Sequence, residues 1–255
     1  MTQSKSQSKL LAKDKEGIFL IDKPSGISSH GVVNRVRNIT GIKRVGHSGT
    51  LDPLASGLLI VLVGKTYTKL QDSFLKKPKT YTCTAQLGIT TDTYDITGQI
   101  TNKVEWEQLK YIDSSQMLVA LKDFKGKITQ TVPAFSAVKI SGQKLYDKAI
   151  KKTIKLEDLP TRKVEIFDLV LTQLKKDVMT KKVYFSIETT VSSGTYIRSL
   201  IHDLGQKLGV GATVTELRRI KIDQYSVTDA IQVFDPETFS FGKKFSTASA
   251  RSQTT

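Results

Sequence analysis

The run Gly46-His47-Ser48-Gly49-Thr50-Leu51-Asp52-Pro53-Leu54-Ala55-Ser56-Gly57 concentrates the residue types that could do chemistry. Asp52 is its lone carboxylate, and Pro53 behind it turns that residue toward an extended backbone and away from helix. Three glycines in twelve residues open loop shapes that other residues avoid. A carboxylate held and aimed on such a loop, at the mouth of a buried sheet, is a competent covalent nucleophile. Two other chemistries fail on spacing. Gly46-His47-Ser48-Gly49 lacks the G-x-S-x-G of a serine hydrolase elbow, and neither residues 41–50 nor 57–66 supply the G-x-x-x-x-G-K-[ST] of a phosphate loop. Local spacing also permits a plainer reading, with Asp52 as a turn residue and His47 as an ordinary loop histidine.

The elements around the loop alternate strand and helix without internal repeats. Residues 17–22 form an apolar strand ending in a Lys23-Pro24-Ser25-Gly26 turn. Ser28 or Ser29 can cap a helix to about Ile39, with Val32, Val33, Val36 and Ile39 on one face. The glycine-rich loop, 41–57, feeds the most apolar strand in the chain, 58–63. A short helix near 67–75 and a strand at 80–88 follow, and Ser114 or Ser115 can cap a helix to about Phe124. Residues 163–174 and 183–191 read as two strands joined by a polar hairpin loop. Thr195 can cap a helix to Leu208 with Ile197, Leu200, Ile201 and Leu204 in its apolar stripe, and Gly209 is placed to end it. The pattern is α+β, built on one substantial sheet.

Composition narrows the partners. Lys and Arg number 39 against 24 Asp and Glu, a net +15 that favours a polyanion: nucleic acid or an anionic membrane. The most basic stretch is 122–163, with eleven basic residues against four acidic. It reads either as a solvated lysine face or as a surface that tracks phosphates. No apolar run approaches a membrane span and the N-terminus lacks a signal-peptide segment, so a cytoplasmic location is expected, without membrane association. The single cysteine, Cys83, permits no intrachain disulfide and sits in an alternating strand as a small core residue. His30, His47 and His202 have no metal-ligand spacing, so no metal site is expected.

GHSGTLDPLASGLL closely resembles the catalytic motif of the TruB family of pseudouridine synthases. The resemblance extends along the chain in family order. It takes in GIFLIDKPSGISSHGVVNRVR, LKKPKTYTCTAQLGITTDTYDITG, VPAFSAVKISGQKLYDKA, SSGTYIRSLIHDLG and GATVTELRRI, covering about 17–222. It implies a pseudouridine synthase fold: a mixed, mostly antiparallel central sheet flanked by helices, with a basic RNA-binding thumb inserted at about 125–160. The expected organisation is a catalytic domain over 16–235 between disordered tails, 1–15 and 236–255. The small PUA domain of many bacterial members is expected to be missing.

The same resemblance implies isomerisation of the T-loop uridine of tRNA (conventional position 55) by an enzyme that flips the base out. Asp52 would attack the sugar or the base, Arg198 would pair with and aim it, and Tyr81 would stack on the target base and take part in proton transfer. Tyr81 alone would read as a core aromatic. Tyr196 and Leu217 match positions lining the uridine pocket, although Tyr196 could equally be packing at a helix start. Lys23, in the first motif, is a further substrate-side candidate. His47 would insert where the flipped nucleotide has left, and Lys139, Lys144, Lys148, Lys151 and Lys152 would contact phosphates from the thumb. In Leu145-Tyr146-Asp147-Lys148-Ala149-Ile150-Lys151-Lys152, Ile150 stands where the family commonly has arginine, so local RNA geometry should differ. No cofactor is implied, the partner is the T-arm stem-loop, and a monomer is expected. Two alternatives stand beside this function: a guide-RNA-directed, dyskerin-like synthase, and a tRNA-binding and folding protein without chemistry.

Overall fold

The computed structural model describes residues 15–234 except 141 and 152, so the expected tails lie outside the described residues, save for Lys15. The first elements are β1 (Gly17–Lys23), α1 (Ser29–Thr40), β2 (Val45–Ser48), β3 (Ser56–Val63), α2 (Lys65–Thr68) and α3 (Gln71–Leu75). Then come β4 (Lys79–Leu87), β5 (Ile89–Thr91), β6 (Ile100–Lys103), α4 (Trp106–Leu109), α5 (Ser114–Lys122) and β7 (Gly126–Thr131). The chain continues through β8 (Lys139–Ile140), β9 (Gln143–Lys144), α6 (Leu145–Ile150), β10 (Thr161–Asp177), β11 (Lys182–Val191), α7 (Ile197–Lys207), β12 (Ala212–Ile222) and β13 (Tyr225–Ser226). These fall into two compact units, which take in the described residues 15–77 with 218–234, and 78–217.

The first unit is organised by β3, buried from Gly57 to Val63. Antiparallel β1 lines one edge, from Gly17 opposite Val63 to Lys23 opposite Gly57. β12 pairs parallel at Ser56 and Gly57, and β2 pairs antiparallel from Ile60 to Val63. Both faces of β3 are covered. Leu59, Val61 and Val63 pack with Phe19, Ile21 and the α1 residues Val32, Val33 and Val36, while Leu58, Ile60 and Leu62 pack with Leu20, Phe74, Ile222 and Tyr225. Burial on two faces explains an unbroken apolar run in place of alternation. Each such side chain contributes about 1.5–3 kcal/mol.

Ser28 is the cap of α1, its hydroxyl accepting from the Gly31 N–H. The sequence reading placed 45–48 inside a loop, whereas these residues form β2. Val-Gly-His-Ser has too little alternation to announce a strand, and the free edge of β3 decides the outcome.

In the second unit the strand order runs from β12 through β4, β11 and β10 to β7. β11 is antiparallel to both β4 and β10, and β7 covers only the Thr161–Ile166 part of β10. Two helix starts differ from expectation. Asp113, not Ser114 or Ser115, caps α5, and Gln116 completes a reciprocal capping box. Thr195 does not cap α7, because its hydroxyl donates to the Ser192 carbonyl. The buried Gln130 amide replaces it, accepting from the Tyr196 N–H at 2.8 Å and donating to the Tyr196 carbonyl at 2.9 Å. Gly209, with φ 75°, closes the other end as expected. Among the described residues no helix is long and apolar enough to cross a membrane.

Gly57 has φ 103°, and a Cβ there would fall onto the Arg219 backbone. Gly57→Ala should therefore cost about 1–3 kcal/mol or more of stability, read from urea denaturation. An unchanged midpoint would contradict this packing.

Candidate active site

In the first unit, the turn after β1 and the first residue of α1 hold the Asp52 loop by its backbone. The Ser29 hydroxyl donates to the Leu51 carbonyl at 3.0 Å and accepts from the Leu51 N–H at 2.8 Å. The Asp52 carbonyl accepts from the Ala55 N–H, the Pro53 carbonyl from the Gly26 N–H, and the Leu54 carbonyl from the Ser25 hydroxyl. Four successive carbonyls, 51 to 54, are thus tied down, while Asp52 itself is half-buried.

Two buried cations complete the frame. Lys23 has no exposed surface, and its Nζ donates to the carbonyls of Pro24 (2.9 Å), Ile27 (2.6 Å) and, at 3.4 Å, Pro53. Arg219, 1% exposed, donates from Nε to the Leu58 carbonyl at 2.7 Å and from Nη2 to the Gly49 carbonyl at 3.1 Å. It therefore spans both ends of the loop. Burial pulls the Lys23 ammonium down to about 8, against the upward pull of Asp52 and with a further downward push from Arg219. The three groups form one electrostatic set. On β2, burial is also the first cause that lowers the His47 imidazole, followed by Arg219 and His30, so His47 is neutral near pH 7. Its Nδ1 is buried without a hydrogen-bond partner.

The second unit holds the other candidates. Arg198, on the first turn of α7 and 4% exposed, donates to the Thr93 carbonyl at 2.5 Å and the Phe135 carbonyl at 3.0 Å. Asp95 lies 3.7 Å from it, and its own Oδ1 accepts from Thr93 and Thr97. Tyr81 is buried on β4, paired across from Thr189, and Leu217 is buried on β12. Tyr196 packs beside the small cluster of Val132, Leu145 and Leu159, with the Arg162 guanidinium 5.9 Å over its ring.

The basic stretch 122–163 is folded in part by the same cluster. Lys139 pairs with Lys144 between β8 and β9, Lys148 lies on α6, and Lys151 follows it, exposed. Lys152 lies outside the described residues. Ile150 is exposed, as a side chain standing in a polar position would be. Cys83 is buried, and burial followed by the nearby Glu216 pushes its thiol up, which suits a core residue and not a nucleophile.

Three contributors have no distinguishing motif of their own in the sequence. By sequence Ser29 reads only as a helix cap. Asp95 and Arg219 lay inside recognised motifs without a role. Leu217 and Arg219 share a strand face by alternation, a signal that points Arg219 inward, whereas its neighbour Arg218 is half-exposed and forks onto Asp22 at 3.0 and 2.7 Å.

Residues 37–197 match the TruB family pseudouridylate synthase N-terminal domain, and 198–238 match the tRNA pseudouridylate synthase B C-terminal domain. The chain belongs to the TruB family. It is 42% identical over 218 residues to the tRNA pseudouridine synthase B of Aquifex aeolicus, covering 86% of this chain and 72% of that one. It is 39% identical to the Chlamydia abortus protein of the same name, over 85% of this chain and 87% of that one. Among solved structures, a Cbf5-Nop10-Gar1 complex matches with 27% identity and a TM-score of 0.62, over 89% of this chain and 55% of that one. An H/ACA RNP bound to a substrate RNA containing 2'-deoxyuridine shares the fold at 23% identity and a TM-score of 0.60, over 89% of this chain and 53% of that one.

The buried Lys23 makes a pH test of this TruB frame. Its folded value, about 8, lies below the ordinary 10.5, so the unfolded chain binds the extra proton between those values. Stability contributed by this group is lowest below pH 8 and rises toward 10.5. The stability of wild type relative to Lys23→Met, from denaturation at each pH, should rise through that window and be flat below it. A difference independent of pH would contradict the burial.

Proposed function

We propose that the protein converts uridine to pseudouridine in tRNA, at the T-loop uridine, conventional position 55, with Asp52 as the nucleophile. The observation that carries this reading is the Asp52 loop itself, whose carbonyls from 51 to 54 are all engaged by backbone or side-chain donors. A nucleophile on a loop fixed in this way needs little reorganisation before attack. The sequence match supports tRNA as substrate, because the relatives near 40% identity are named tRNA pseudouridine synthase B.

The reaction breaks the bond between ribose C1′ and uracil N1 and makes one between C1′ and C5. The C5 proton departs and N1 gains one, so atoms and electrons balance without an external oxidant or cofactor. Asp52 attacks the sugar or the base and holds the intermediate while the freed uracil turns. Arg198 pairs with and aims that carboxylate. Tyr81 stacks on the base and takes part in the C5 proton transfer, and Tyr196 and Leu217 line the pocket. A neutral imidazole suits His47 for stacking in the gap left by the flipped nucleotide. Lys23, a substrate-side candidate from the motif, has no exposed surface and spends its Nζ on backbone carbonyls, so we assign it to holding the loop from behind. Lys139, Lys144, Lys148, Lys151 and Lys152 form a thumb over the T-arm phosphates, and the enzyme works as a cytoplasmic monomer.

Incubation with an unmodified tRNA transcript, followed by pseudouridine mapping, tests the reading. Asp52→Asn should give no product at the T-loop uridine while tRNA binding persists. Continued modification by that variant would remove the nucleophile role, and a matching loss of binding would make Asp52 structural.

A further inference from the structure

Tyr94 is a bulky residue held at φ 63°, in the left-handed region. Such backbone is uncommon outside glycine, and it persists where the surroundings over-determine it. The residues on either side of it both engage Arg198: the Thr93 carbonyl accepts from Nη1 at 2.5 Å, and the Asp95 carboxylate lies 3.7 Å away. The Tyr94 ring stacks on His202 with centroids 3.9 Å apart and planes 16° from parallel. Arg198 and His202 are four residues apart on α7, on one face of the helix, one turn from each other. The turn is also fixed behind the ring, because the Val214 N–H donates to the Tyr94 carbonyl and the Thr91 hydroxyl to the Asp95 carbonyl.

We infer that the Tyr94–His202 stack is a positioning device for Arg198, registering the 93–95 turn on α7 so that its carbonyl and carboxylate meet the guanidinium. This rests on the reading of Arg198 as the partner of the nucleophile. His202 serves through the face of its ring. Its Nδ1 is buried without a hydrogen-bond partner, and burial lowers its pKa, so the ring that meets Tyr94 near pH 7 is neutral. Glycine would adopt φ 63° without steric cost. The use of a tyrosine here therefore lies in the ring, not in the backbone shape.

Four variants test this with tRNA as substrate: Tyr94→Gly, Tyr94→Phe, His202→Ala and Arg198→Ala, each checked for folding by circular dichroism. Tyr94→Gly keeps the backbone shape and removes the stack, and Tyr94→Phe keeps both. Tyr94→Gly and His202→Ala should lower kcat about ten- to a hundredfold with KM changed by less than about twofold, because a displaced guanidinium loses alignment and not tRNA contacts. Tyr94→Phe should turn over at the wild-type rate. Wild-type turnover by Tyr94→Gly, an equal loss in Tyr94→Phe, or a change confined to KM would overturn the inference. Should Tyr94→Gly fail to fold, His202→Ala and Tyr94→Phe decide by the same criteria. An inactive Arg198→Ala beside a fully active Tyr94→Gly sinks the positioning role alone, whereas a fully active Arg198→Ala sinks the reading of Arg198 beneath it.

Discussion

Two buried cations, Lys23 and Arg219, set the form of the loop that carries Asp52. A charge taken out of water is costly unless hydrogen bonds replace its hydration. Here backbone carbonyls supply those bonds: Pro24, Ile27 and Pro53 for Lys23, and Gly49 and Leu58 for Arg219. The benefit runs both ways, because the cations in turn give donors to the carbonyls of Gly49, Pro53 and Leu58. The frame then constrains its neighbours. Gly57 must lack a side chain for the strand to reach Arg219, and Ser29 must offer a hydroxyl to both polar groups of Leu51.

Carbonyls play the same part around Arg198. Thr93 and Phe135 each accept from one of its terminal nitrogens, and Asp95 supplies a counter-charge. A guanidinium has five donors in a rigid fork, so contacts to two carbonyls largely fix its plane. Asp95 is itself oriented by Thr93 and Thr97. In both units, buried cations are thus held by backbone oxygens delivered by turns, each turn shaped by a few polar side chains.

Much of this was legible in the sequence. The unbroken apolar run at 58–63, the α1 stripe and the alternation of β11 gave the sheet and its helices, because burial dictates those patterns. The motif around Asp52 located the loop. Helix caps were less legible: Ser114, Ser115 and Thr195 are good cap types, yet a flanking Asp113 and the distant Gln130 took their places. A side chain arriving from 66 residues away leaves no local signature. Arg219 was hidden for a similar reason. Arginine is usually a surface residue, and only the carbonyls waiting inside the fold make its burial sensible. The stack of Tyr94 on His202 likewise joins residues that no spacing rule connects.

The Asp52 loop is held in its working shape before any RNA arrives. Amide hydrogen exchange on the free protein measures this directly at Leu51, whose N–H is donated to Ser29, and at Ala55, whose N–H is donated to the Asp52 carbonyl. Both amides should exchange slowly, in step with those of β3, through the larger openings that release the frame. Exchange at the rate of an open surface loop, with tRNA needed to slow it, would contradict the account.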